Sequence, residues 1–150
     1  MKRNFTILAF ALLGLFVFGN PVFAQKQIEP QIQRDPILEA DASHNLEVAN
    51  QYFKGKKAYK AVLMRFEETF AAYPEFSKMD EFLYIAGMSS FYLSGNKGKQ
   101  KVTSEEDKKK FAPDKLREDA IAYFSQLVKD YPQSQYKAEA EKILKELQPE

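Results

Sequence analysis

The chain has 150 residues, with 22 cationic side chains against 21 acidic ones, one histidine and no cysteine. That inventory excludes disulfides, thiolate chemistry and metal sites of the Cys/His kind. A formal net charge of +1 leaves no basic footprint for nucleic acid.

The chain opens on Lys2 and Arg3 and runs through apolar residues from Phe5 to Phe18. It breaks at Gly19, Asn20 and Pro21 before VFA, which ends at Ala24. Cations, a short apolar run and a small-residue cut form an export signal, so residues 1–24 read as a signal peptide. The run falls short of the roughly 20 apolar residues that a membrane span needs. Cleavage removes two cations and leaves a net charge of about −1. With no cysteine at the cut, the expectation is an exported protein, periplasmic or secreted, soluble and without a lipid anchor.

Residues 25–42 are polar and carry Pro30 and Pro36, and they read as a flexible leader. Ser43 is placed as the N-cap of a short helix reaching Phe53, with Lys54-Gly55 as its stop. A second helix covers about Lys57 to Tyr73. Its Tyr59, Val62, Phe66, Phe70 and Tyr73 share one face, and Pro74 ends it. Ser77 and Asp80 suggest a capping box for a third helix, strongly apolar, that closes at Gly95. Residues 95–112, GNKGKQKVTSEEDKKKFA, are charged and read as an insertion, with a helical turn near Thr103 to Lys109. Pro113 opens a fourth helix ending at Pro132, with Leu116, Ala120, Phe124, Leu127 and Tyr131 on one face. Ser134 caps a fifth, with Tyr136, Ala140, Ile143, Leu144 and Leu147 inward. No segment alternates with period two, so the fold class is all-α.

Two helix endings match. Setting Pro74 on Pro132 places Phe66 on Phe124, Tyr73 on Tyr131 and Val62 on Ala120. Small residues let helices approach and large ones fill the gaps. A unit of this kind buries its face only against its neighbours. The spacing resembles the tetratricopeptide repeat, two antiparallel helices in about 34 residues. The first unit offers Leu46, Ala49, Asn50, Phe53, Tyr59, Val62, Phe66 and Pro74. The second offers Leu83, Ala86, Gly87 and Ser90, then Ala120, Phe124, Leu127 and Pro132. Asn50 and Val62 stand where the family has smaller residues. The resemblance implies a short α-solenoid of about five helices and two and a half repeats over residues 43–147. The charged insertion divides the second repeat.

Within the repeat class, FEETFAAYPEFSKMDEFLYIAGMSSFYLSG and REDAIAYFSQLVKDYPQSQYKAEAEKILKEL are similar to BamD-like proteins of outer-membrane β-barrel assembly. Members of that branch carry a lipidated cysteine and about five repeats, which this chain lacks. CpoB-like proteins associated with Tol–Pal share the YP repeats and a cleaved signal, and usually add a coiled coil.

No catalytic, cofactor-binding or metal-binding residue is assigned. His44 stands alone near a helix start. GNKGKQ lacks the spacing of a phosphate loop. Glu67-Glu68 and Glu105-Glu106 read as solvated charge, as do the insertion's lysines. An anionic partner or lipid is the functional reading of those lysines. The expectation is a non-catalytic envelope scaffold that holds a protein or peptide on the first helices of its repeats. Glu47, Gln51, Tyr84, Met88, Phe91 and Tyr92 are its candidate partner-binding residues. An enzyme accessory that binds glycan is the reading from a different class. With fewer than three full repeats, the array ends should expose apolar surface that self-association would cover.

Overall fold

A computed structural model describes residues 34–148. The signal-peptide assignment and residues 25–33 of the leader lie outside the described residues.

Helix α1 spans Pro36–Asn50 and begins seven residues before Ser43. Asp35 is the N-cap, and its Oδ1 accepts from the Ile37 and Leu38 amides at 2.8 and 3.3 Å. Proline blocks a helix that runs through it. At the first helical position it loses no hydrogen bond and its φ is already helical. Pro36 therefore starts the helix that it was expected to forbid. The leader assigned to residues 25–42 is helical from Pro36, and Ala42 belongs to the core.

Gly55 is not the stop. The chain continues from α1 into a π-helical segment, Gln51–Lys56. The left-handed residue is Lys57, at φ 50°, and the Ala58 amide donates to the Tyr52 carbonyl at 3.0 Å. Helix α2 then spans Tyr59–Ala72, α3 Met79–Ser94, α4 Glu105–Lys110, α5 Pro113–Asp130 and α6 Lys137–Leu147. The described residues thus hold six α-helices and no strand. Helix α4 lies in the insertion, where a helical turn was expected.

The predicted cap of α3 is also rearranged. The Ser77 amide donates to the Glu39 carboxylate of α1 at 3.2 Å. Asp80 accepts from the Ser134 hydroxyl at 2.6 Å, so it ties α3 to the turn before α6. Ser134 holds that turn from Pro132 side to helix, since its Oγ also accepts from the Tyr136 amide.

Packing follows the repeat. Helix α1 lies on α2, α2 on α3, α3 on α5, and α5 on α6. Phe66 of α2 is buried between Phe82 of α3 and Tyr123 of α5, with ring centroids at 5.6 and 4.8 Å. At the equivalent place in the second repeat, Phe124 is fully buried against Gly87. This is a tetratricopeptide-like solenoid of paired antiparallel helices.

The N-terminal end of the array exposes apolar side chains, as expected, and the C-terminal end does so less. By the repeat correspondence, Asn45 and Arg65 occupy in the first repeat the places that Phe82 and Tyr123 hold in the second. Both polar residues are half-buried, while Ile37, Leu38 and Met64 of the same repeat remain exposed. At the other end, α6 buries Ala140, Ile143 and Leu147 and leaves Glu141, Lys142 and Lys145 exposed.

Candidate functional site

The face carried by the first helices of the repeats divides into two parts. Between α1 and α3 lies an open cleft of about 440 Å³, lined by Ser43, Leu46, Glu47, Asn50, Lys54, Lys78 and Glu81. Its floor is polar because Asn50 takes the place of a smaller residue. The Asn50 side-chain amide donates to Glu81 at 2.8 Å across the two helices. Its Oδ1 is buried with no partner among the described residues, an acceptor that a donor from outside would satisfy.

The second part is aromatic. Tyr92, near the end of α3, lies 5.2 Å from Tyr59, 5.8 Å from Phe91 and 6.3 Å from Phe53 by ring centroids. Such offset and tilted pairs are favourable beyond the area they bury. The Lys97 ammonium lies 5.5 Å from the Tyr92 ring centre. Further along the face, Tyr84 stacks on Tyr136 at 4.6 Å. Burial, with the Glu139 carboxylate second, raises the Tyr84 hydroxyl well above the usual phenol range.

The six predicted residues therefore do not form one groove. Glu47 lines the cleft, and Gln51 is exposed where α1 becomes π-helical. Phe91 and Tyr92 belong to the aromatic cluster, and Tyr84 to a separate stack. Met88 is in the core with 4 % of its surface exposed, because α3 is covered on more than one side. It cannot serve as a contact residue in this structure. Asn50, Lys54, Lys78 and Glu81 were missed. Lys54 and Lys78 look like ordinary surface lysines in sequence, and only the tertiary structure sets them around one cleft.

The insertion is bound to the first repeat. The Lys99 amide donates to the carbonyl of left-handed Lys57 at 3.0 Å. The Gln100 side chain accepts from the Ala61 amide at 3.2 Å. Ala58, the N-cap of α2, has no capping side chain, so Gln100 supplies a cap from a distant part of the sequence. Lys60 pairs with Asp107 at 2.6 Å and Lys110 with Glu67 at 2.7 Å, and Phe111 is buried.

The hydrogen bond from Lys60 holds the Asp107 carboxyl below the usual carboxylate range. A depressed folded-state pKa contributes stability above the unfolded value of 3.8, and the contribution is lost as pH falls through the folded value. Asp107→Asn should therefore lower the melting temperature at neutral pH. The gap from the parent should close as the medium is acidified below about pH 4. Thermal unfolding followed by circular dichroism at several pH values checks this. A gap that is constant with pH would show that the pair contributes no charge-dependent stability.

Paired helices, a face built from the first helix of each pair and a polar cleft along it define a helical-repeat protein of tetratricopeptide type. The model of the YfiO family, described as outer membrane lipoprotein, matches residues 24–150, and the chain belongs to that family. No curated protein matches the chain, and no solved structure does. Among the described residues, no helix is long and apolar enough to cross a membrane.

Proposed function

We propose that this protein is a non-catalytic scaffold of the bacterial cell envelope that holds a protein or peptide partner on its first-helix face. The observation that carries the reading is the cleft between α1 and α3. It has charged walls, Glu47, Lys54, Lys78 and Glu81, and a buried acceptor in Asn50 that has no partner among the described residues. Extended peptides present backbone N–H donors for the acceptor and charged side chains that complement those walls. The half-buried aromatic cluster around Tyr92 continues the surface with rigid apolar contact. Family membership supports a BamD-like place at the outer membrane, in the assembly of its proteins. The protein is exported and periplasmic on this reading.

Cross-linking in intact envelopes followed by capture of the protein tests the proposal and identifies the partner. Phe91→Glu or Tyr92→Glu should reduce capture at least about tenfold, since loss of a buried aromatic contact costs 2 kcal/mol or more. The helical circular dichroism spectrum should be retained. Undiminished capture by folded Tyr92→Glu protein would exclude the aromatic cluster from the contact. Turnover of a glycan or peptide substrate by the purified protein would overturn the scaffold reading.

A further inference from the structure

Two lysine-rich turns that are distant in sequence meet at one end of the molecule. The turn between α1 and α2 carries Lys54, Lys56 and Lys57, and the start of the insertion carries Lys97, Lys99 and Lys101. The hydrogen bond from the Lys99 amide to the Lys57 carbonyl joins them. A Cβ at Gly98 would lie only 2.7 Å from the Tyr59 ring, so the two segments are in direct contact there. All six lysines are exposed, and among the described residues none of them forms an ion pair. The segments 54–57 and 97–101 contain no acidic residue. Glu105 and Glu106 are the nearest acids along the insertion, and Glu105 is taken up by Lys108.

From this juxtaposition we propose that the end formed by the α1–α2 turn and the insertion docks on an anionic phospholipid surface. Lysines on short turns project a delocalised positive charge rather than shape a pocket, which suits a plane of headgroups more than a single peptide. Aromatic rings lie directly beneath. The Lys56 ammonium is 4.8 Å from the Tyr52 ring centre, and Lys97 is 5.9 Å from that of Phe91. Half-buried Tyr and Phe under a rim of lysine match the apolar-to-polar gradient of a membrane interface. The chain has no cysteine to bear an acyl thioether. Even where one acyl chain is present, stable attachment takes a second signal, and a polybasic patch is one that serves. Lys54 is shared with the cleft between α1 and α3, whereas Lys97, Lys99 and Lys101 do not line it.

Vesicle sedimentation with the purified full chain tests the proposal, comparing neutral phosphatidylcholine with mixtures containing about 30 % phosphatidylglycerol. An apolar N-terminal segment would add the same background to both, so the difference between them is the reading. The parent should prefer the anionic vesicles, and the preference should vanish near ~0.5 M salt, where charge is screened within a few ångströms. The triple variant Lys97→Gln, Lys99→Gln, Lys101→Gln should lose that preference by about ten- to a hundredfold. A control with the same charge change on α6, Lys137→Gln, Lys142→Gln, Lys145→Gln, should keep it. Equal binding to both vesicles, or equal loss in the control, would overturn the proposal. So would preference for an acidic peptide such as polyglutamate over the anionic vesicles, which would make the patch a protein contact.

Discussion

Gly87→Ala should destabilise the protein, although alanine is the better helix former by about 1 kcal/mol. Gly87 lies inside α3, and a Cβ there would stand 2.7 to 2.9 Å from three atoms of the Phe124 ring. Phe124 has no exposed surface, and α5 packs on α3 along its length, so the ring has nowhere to retreat. Overpacking of this kind costs about 1–3 kcal/mol, which meets or exceeds the gain in propensity. Gly87→Val, larger and branched at Cβ, should cost more. Phe124→Ala alone should cost about 3–5 kcal/mol, a large part of the roughly 5–15 kcal/mol that holds a domain together. The two positions should be coupled. In a Phe124→Leu background, Gly87→Ala should become harmless or stabilising, because the shorter side chain vacates the contested space. Urea unfolding of the four proteins measures the coupling directly. Additive effects would show that Gly87 and Phe124 do not compete for one volume.

Gly98→Val should undock the insertion while leaving the solenoid folded. Gly98 sits at φ +106°, where a β-branched residue is strained, and its Cβ would meet the Tyr59 ring at 2.7 Å and the Lys57 carbonyl at 2.9 Å. The neighbouring contacts depend on that approach. They are the Lys99 amide on Lys57, which holds the left-handed residue, and the Gln100 cap on the Ala61 amide. Strain and clash together exceed about 2 kcal/mol, more than a few surface hydrogen bonds return. Trypsin should then cut after Lys97, Lys99 and Lys101 at least about tenfold faster, because proteolysis follows the population of the open form. The far-ultraviolet circular dichroism should change little, as α4 is short. Unchanged trypsin resistance would mean that the ion pairs Lys60–Asp107 and Lys110–Glu67 hold the insertion without help from Gly98.

Much of the helical framework was legible because it depends on local chemistry. The matching Phe and Pro positions of α2 and α5 report packing and punctuation that repeat wherever the unit repeats. Prolines 74 and 132 end helices for a reason contained in their own rings. Errors gathered at the boundaries, where local signals compete. Asp35 and Pro36 form a strong helix start, yet Pro36 taken alone signals a breaker and Ser43 downstream signals a competing cap. Gly55 offers a stop, but the chain goes on as a π-helix and turns at Lys57, whose carbonyl is held by the insertion. Met88 shows the same limit on the candidate site. Its spacing places it beside Tyr84 and Tyr92, and only the packing of both α2 and α5 on α3 shows it to be buried.

By itself, the sequence determined the all-α class, the paired helices, the repeat and the expectation of export. All of these rest on residue types and on spacings within one or two turns of chain. Tertiary structure alone decided how the distant parts meet. It put Lys54 and Lys78 around one cleft, brought Gln100 to the bare end of α2, and joined two lysine-rich turns into one surface. Those outcomes depend on where α3 and the insertion lie relative to the first repeat. That placement is set by the summed packing of many side chains and is not written in any short stretch of sequence.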